Sequence, residues 1–188
     1  MHLTASNFAA AAGISPYQSR QKLWRILTGR EQRDPPNEVM QWGIDNEHRA
    51  VAAVEAACGI FFSDTGEGQR HYTLDALGLS LGATPDGRDG RTGLEVKCPR
   101  AIYDNIPAHY IPQLIGQAMC ADMDAVIFAA WTPQALRVWR YEHEQEAADW
   151  LLTAMEDFAL CLADDVEPKR RRKPELYPAK TELIYEEL

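Results

Sequence analysis

An α/β domain with a mixed central β-sheet flanked by helices is what this sequence predicts, and three observations lead there. Helical and strand-like periodicities alternate along the chain, the strand-like runs fall in pairs around turn-rich links, and 188 residues suit one domain whose core needs no disulfide or structural metal. The whole of 1–188 is therefore read as a single domain. With 46% hydrophobic and 25% charged residues, no run long enough to span a bilayer and no signal-peptide core at the start, the expectation is a cytoplasmic protein without a membrane partner. Four cysteines, Cys58, Cys98, Cys120 and Cys161, make no CxxC pair. That spacing suggests neither a zinc ribbon nor an iron–sulfur cluster, and predicts reduced, packed thiols.

Taken in order, Thr4 to Gly13 reads as a short alanine-rich helix capped by Thr4 or Ser6 and stopped by the glycine. A second helix runs from about Ser19 to Thr28, with Leu23, Trp24, Ile26 and Leu27 as its apolar face, and Asp34-Pro35-Pro36-Asn37 is a stiff connector. Glu38 to Cys58 is a longer helix closed by Gly59, and Glu47 in its middle shares a face with Gly43, Val51 and Val54. Two readings of Glu47 stand: an exposed side chain, or a carboxylate held by a metal or a hydrogen bond, because burying it unpartnered is costly. Ile60–Asp64 with Arg70–Leu74, and Leu77–Ala83 with Thr92–Cys98, read as two strand pairs. Pro112 opens a helix to about Asp122 that sets Gln113 and Gln117 one turn apart on one face. Ala125–Trp131 and Leu136–Tyr141 pair around Thr132-Pro133-Gln134, and His143 to about Ala163 is an amphipathic helix. From about residue 165 to 188 the chain reads as a tail, basic through Lys169–Lys173 and then acidic.

The chemistry concentrates in Gly82-Ala83-Thr84-Pro85-Asp86-Gly87 and Gly93-Leu94-Glu95-Val96-Lys97-Cys98-Pro99. Side chains alternate across a strand, so Glu95 and Lys97 share one face while Leu94 and Val96 point into apolar packing. The turn-rich Gly87–Arg91 link folds back and brings Asp86 alongside Glu95. Asp86 and Glu95 offer hard oxygen ligands suited to Mg²⁺ or Mn²⁺, with the Val96 carbonyl as an extra ligand and Glu47 as a third carboxylate. Lys97 beside them is placed to orient or deprotonate a water, and Gln113 to hold that water or a phosphate. The net charge of −9 speaks at first against a nucleic-acid partner, yet bases cluster at Arg20–Arg33, Arg88–Arg100 and Lys169–Lys173, and carboxylates that bind cations do not repel phosphate as free ones do.

Pro-Asp at a strand end followed by Glu-x-Lys on the next strand resembles the PD-(D/E)xK nuclease superfamily, which implies a restriction-endonuclease-like core. The series Gln41-Trp42-Gly43…Glu47, Thr84-Pro85-Asp86-Gly87, Gly93–Pro99 and Tyr110-Ile111-Pro112-Gln113…Gln117 is closer still to the phage lambda-type alkaline exonucleases, the YqaJ viral recombinase family. That resemblance spans about Thr4 to Trp131. It implies a catalytic set of Glu47, Asp86, Glu95, Lys97 and Gln113, two Mg²⁺ or Mn²⁺ ions, and 5′→3′ digestion of one strand of linear double-stranded DNA. It further implies a preference for a 5′-phosphate, a 3′ single-stranded tail as product, a homotrimeric ring around the DNA, and a single-strand annealing protein as partner in recombination. Family members hold the terminal phosphate partly through the serine of Thr-Ala-Ser, here Ser6, and at the position of Thr84. An arginine precedes that motif in the family, and the sequence given begins after it. Arg100 is the candidate replacement, reading equally as an exposed loop residue. Trp24 and Trp42 read as core or as stacking on a frayed end, and Lys169–Lys173 as a backbone contact or a solvated segment.

Overall fold

The computed structural model describes residues 2–170 and 175–188; Arg171 to Lys173 of the basic run lie outside the described residues. Strand β1 (His2–Thr4) leads into α1 (Ala5–Ala11), α2 (Arg20–Leu27) and α3 (Glu38–Cys58), followed by β2 (Tyr72–Ala76), β3 (Leu79–Ala83), β4 (Gly87–Asp89) and β5 (Thr92–Lys97). Then come α4 (Ile111–Ala121), β6 (Ala125–Trp131), β7 (Leu136–Glu142), α5 (Gln145–Ala163) and β8 (Thr181–Glu187). The helix ends follow from local chemistry: Ser19 and Asn37 accept hydrogen bonds from the backbone of Lys22 and Met40 as N-caps, and Gly59 closes α3 in the left-handed conformation.

The α/β class with mixed sheets flanked by helices is as expected, but the strands divide over two sheets. The larger has the order β4-β5-β6-β7-β8, with β5 and β6 parallel and the other pairs antiparallel. The smaller has the order β1-β3-β2, with β1 parallel to β3. The hairpin at the heart of the chemistry is therefore β4–β5, and Leu77–Ala83 does not pair with Thr92–Cys98. Its partner is β2, joined through a tight turn in which Leu77 and Gly78 have φ of 54° and 68°. Two consecutive left-handed residues match the twist of a hairpin, and a leucine in that place hides the turn from sequence inspection. Ile60–Asp64 forms no strand; Ser63 makes an isolated bridge to Arg88.

Strand β6 is buried over its whole length, which is why it is apolar throughout. Val126, Phe128 and Ala130 face a core shared with α1, α4 and α5, whereas Ile127, Ala129 and Trp131 join Ala50, Val51 and Val54 of α3 on the other side. Leu94 and Val96 lie with α3, so Glu95 and Lys97 point toward α4. Helix α4 is the crossover between the parallel strands, and α1 fits against it tightly: a Cβ on Gly116 would collide with the Phe8 ring and come within 3.2 Å of the Ala5 Cβ.

The acidic end of the chain is a correction to the expected tail. Residues 181–187 pair antiparallel with β7 as the sheet's edge strand, and Lys180 bonds Glu144. Its glutamates, Glu182, Glu186 and Glu187, flank Leu183, Ile184 and Tyr185, and suit an edge strand in which charge discourages further pairing.

Candidate active site

Strand β4 is short, pairing only with Thr92, Gly93 and Leu94, so the outer edge of β5 is open from Glu95 onward. Asp86 fills that opening. Its backbone N–H donates to the Leu94 carbonyl (2.8 Å), and its Oδ2 accepts the Val96 N–H (2.8 Å), replacing the ladder partner that β4 no longer supplies. The N–H and C=O of one strand residue point to the same side, so the Val96 carbonyl looks into the same notch.

Two further carboxylates reach the notch from different elements. Glu95 comes from the α4 face of β5 and is 2% exposed. Its Oε1 accepts the Lys97 ammonium and the Gln113 Nε2 (2.7 Å), while its Oε2 accepts the Gln117 Nε2. A carboxylate so deeply buried needs these partners, since an unpaired buried charge costs several kcal/mol. Glu47 arrives from α3 on the other face of the sheet, half-buried, and its Oε1 accepts the Gln69 Nε2 at 2.7 Å. That same amide stands 3.5 Å from Asp86 Oδ1 and bridges the two acids. The structure thus resolves Glu47 in favour of the partnered reading.

Charge is crowded here. Burial first, and then the neighbouring Glu95 and Glu47 carboxylates, push Asp86 well above the ordinary aspartate value against the pull of Lys97. Burial and Glu95 likewise raise Glu47. Burial pulls the Lys97 amine down, but Glu95 and Asp86 outweigh it and hold the amine above its usual value, as an ammonium. The Tyr110 ring, its centroid 5.2 Å from Lys97 Nζ, adds a cation–π contact. Burial, Glu47 and Asp86 push the adjacent Cys98 thiol up to about 11, so it is no nucleophile at neutral pH.

The arrangement suits a hard divalent ion. Carboxylate oxygens from Asp86, Glu95 and Glu47, with a strand carbonyl, are the donors such an ion takes, and mutual repulsion among the acids is what a cation relieves. As the side chains stand, Glu95 is turned toward Lys97 and the two glutamines, and no group of three acids, histidines or cysteines among the described residues is gathered to chelate.

Of the residues expected at a phosphate, Ser6 and Thr84 are exposed, and both lie where β1 and β3 run side by side with Thr4 opposite Gly82. Thr4 Oγ1 is 3.1 Å from Ser6 Oγ, and Thr84 Oγ1 is 2.9 Å from His71 Nδ1. Arg100 is not brought to them. It lines a separate cleft of about 340 Å³ with Glu38, Val39, Trp42 and Pro133. Trp24 is core, 4% exposed with its Nε1 donating to the Cys161 carbonyl, whereas Trp42 is exposed on the Arg100 cleft. Gln69 and His71 escape sequence inspection, because they sit in an irregular stretch whose position depends on how β2 and β3 fold back.

This fold, a mixed sheet whose notch gathers carboxylates around a lysine, is similar to several solved structures. The alkaline exonuclease LHK-Exo from Laribacter hongkongensis is 23% identical, with a TM-score of 0.66 over 88% of this chain and 90% of that one. Its complex with dAMP is 22% identical, with a TM-score of 0.66 over 88% of this chain and 89% of that one. A phage-related exonuclease from Haemophilus somnus 129PT is 12% identical, with a TM-score of 0.64 over 88% and 96%. No curated protein sequence matches significantly. The model of the YqaJ-like viral recombinase domain matches residues 1–124, and the chain belongs to that family.

Proposed function

We propose that the protein is a Mg²⁺- or Mn²⁺-dependent 5′→3′ exonuclease that digests one strand of linear double-stranded DNA from a 5′-phosphorylated end. The 3′ tail left behind feeds recombination by strand annealing. The observation that carries this reading is the convergence of Asp86, Glu95 and Glu47 near Lys97, with Asp86 and Glu47 held above their ordinary values by burial first and then by the Glu95 charge. Asp86, Glu95, the Val96 carbonyl and Glu47 would hold the ions. Bound there, a divalent ion supplies Lewis-acid polarisation of the scissile phosphate and an acidified water.

The chain's own residues do the rest. Lys97, an ammonium, orients the attacking water and offsets charge on the phosphoryl oxygens, a role in charge stabilisation rather than proton abstraction. Gln113 and Gln117 fix the Glu95 carboxylate, and Gln113, the less buried of the two, is the one a phosphate would meet. Membership of the YqaJ-like family supports the recombination role, and the fold shared with an exonuclease crystallised with dAMP supports deoxynucleotide recognition. A homotrimeric ring enclosing the duplex, an annealing protein as partner and a cytoplasmic location complete the proposal. A ring keeps its substrate without tight contacts, which fits a net charge of −9.

Digestion of linear and covalently closed circular duplexes tests it. Linear DNA should be degraded with the 3′-ended strand surviving and circles should persist, while Lys97→Ala should lose at least about 100-fold in rate. Closed circles cut as fast as linear DNA would make the protein an endonuclease instead.

A further inference from the structure

On the α4 side of the notch an aromatic ring is held out to solvent. Tyr17 lies in the link between α1 and α2 and is 77% exposed, yet its backbone is tied down. The N–H groups of Ile14 and Ser15 both donate to the Ala9 carbonyl (2.7 and 3.0 Å), and the Ser15 Oγ accepts the N–H groups of Tyr17 and Gln18 (3.2 Å each). Pro16 between them fixes its own φ.

From Tyr17 a series of rings leads inward to the catalytic lysine. Tyr17 meets His109 edge to face with centroids 5.2 Å apart, His109 meets Tyr110 at 4.2 Å, and the Tyr110 centroid is 5.2 Å from Lys97 Nζ. Tyr110 rests in turn on Phe128 of the core, and its hydroxyl lies 3.3 Å from that of Tyr103. Whichever of Tyr17 and His109 supplies the edge, so exposed a tyrosine keeps at least one face of its ring open. His109 serves here as a ring rather than as a hydrogen-bonding group, because its Nε2 is shielded from water and has no hydrogen-bond partner among the described residues. Burial, and then Lys97, hold the imidazole below its usual pKa, so at neutral pH it packs between its neighbours uncharged.

His109 belongs to the turn Ala108–Tyr110 that runs straight into α4, four residues before Gln113. A strand whose phosphate lies between Lys97 and Gln113 therefore has His109 and Tyr17 beside it. By these ring steps Tyr17 is at most roughly 15 Å from the lysine, about four nucleotides at the spacing of about 3.4 Å in a stacked strand.

We propose that Tyr17 stacks on an unpaired nucleobase of the strand being digested, and that His109 is the positioning residue that holds the Tyr17 ring in line. This deepens the exonuclease reading above and rests on it. A nucleotide drawn into a metal notch gives up its pairing and stacking in the duplex, and an aromatic face restores the stacking. Every base offers such a face, so the contact is blind to sequence, as an enzyme that removes successive nucleotides requires.

The test pairs a change in the protein with a change in the DNA. Single-turnover release of nucleotides is measured on linear duplexes carrying an abasic residue at each of the first four positions of the digested strand in turn. The wild type should slow about tenfold with the abasic residue at one of these positions, Tyr17→Ala should be about tenfold slower than the wild type on ordinary DNA, and the two losses should not add. Tyr17→Phe should keep the wild-type rate. Additive losses, wild-type indifference at all four positions, or an undiminished rate in Tyr17→Ala overturn the inference. So does Tyr17→Phe falling as far as Tyr17→Ala, which marks a hydroxyl bond to phosphate instead. His109→Phe should stay near the wild type while His109→Ala falls toward Tyr17→Ala, and equal losses in the two overturn the positioning role. A 2-aminopurine at the sensitive position, read in EDTA without turnover, should be dimmer with the wild type and Tyr17→Phe than with Tyr17→Ala; equal brightness with all three overturns the stacking. The exonuclease reading fails by a different result, cleavage of closed circles or no digestion of DNA, which the fluorescence measurement does not read.

Discussion

Asp86 shows how one residue joins folding to chemistry, because it caps an open strand edge and carries a proton longer than an ordinary aspartate. Without a divalent ion, its folded-state value lies above the unfolded one, about 3.9, so between those values the native state binds more protons. Native stability therefore falls as pH rises through that window and levels off above it. Urea unfolding in EDTA at stepped pH should show Asp86→Asn gaining stability over the wild type as pH climbs from about 4, with Mg²⁺ closing the gap. A difference that stays flat with pH would refute this. At this scale much was legible: strand alternation alone puts Glu95 and Lys97 on one face with Leu94 and Val96 on the other, as the packing bears out. Glu47 was not decided by helical spacing, since a helix face does not reveal what lies opposite it. Gln69, which ties Glu47 to Asp86, was invisible because nothing periodic marks it.

Among the elements, α4 carries the most consequence, for it crosses between β5 and β6 and presents both glutamines to Glu95. Its far side meets α1 where Gly116 abuts Phe8 and Ala5. Gly116→Val forces a branched side chain into that contact and should cost about 1–3 kcal/mol in urea unfolding. Because the displaced helix also carries Gln113 and Gln117, nuclease activity should drop as well; unaltered stability would show that the contact has slack. Helix limits were readable from Gly59 and Pro112, each acting on its own neighbourhood, while the Asn37 cap went unread inside a stiff connector. Strand partnership was less so: Leu77 in a left-handed turn carries no sequence signature, and β8 reads as a charged tail until β7 is there to pair with it.

For the molecule as a whole, the proposed ring predicts a sedimentation mass of three chains at micromolar concentration, and a stable monomer there would remove the ring while leaving the site intact. Division of the strands into two sheets is also a property of the whole: the small sheet presents Thr84 and the large one Asp86, with Pro85 crossing between them. Finally, the open edge of β5 has a bearing on solubility. Unpaired strand edges invite a second chain to add on, and soluble proteins fend this off with charge. Here the guard is Asp86, Glu95, Lys97 and Glu47 themselves. Stripping several of those charges at once to silence the enzyme would also unmask a sticky edge, so multiply neutralised variants should aggregate before they unfold.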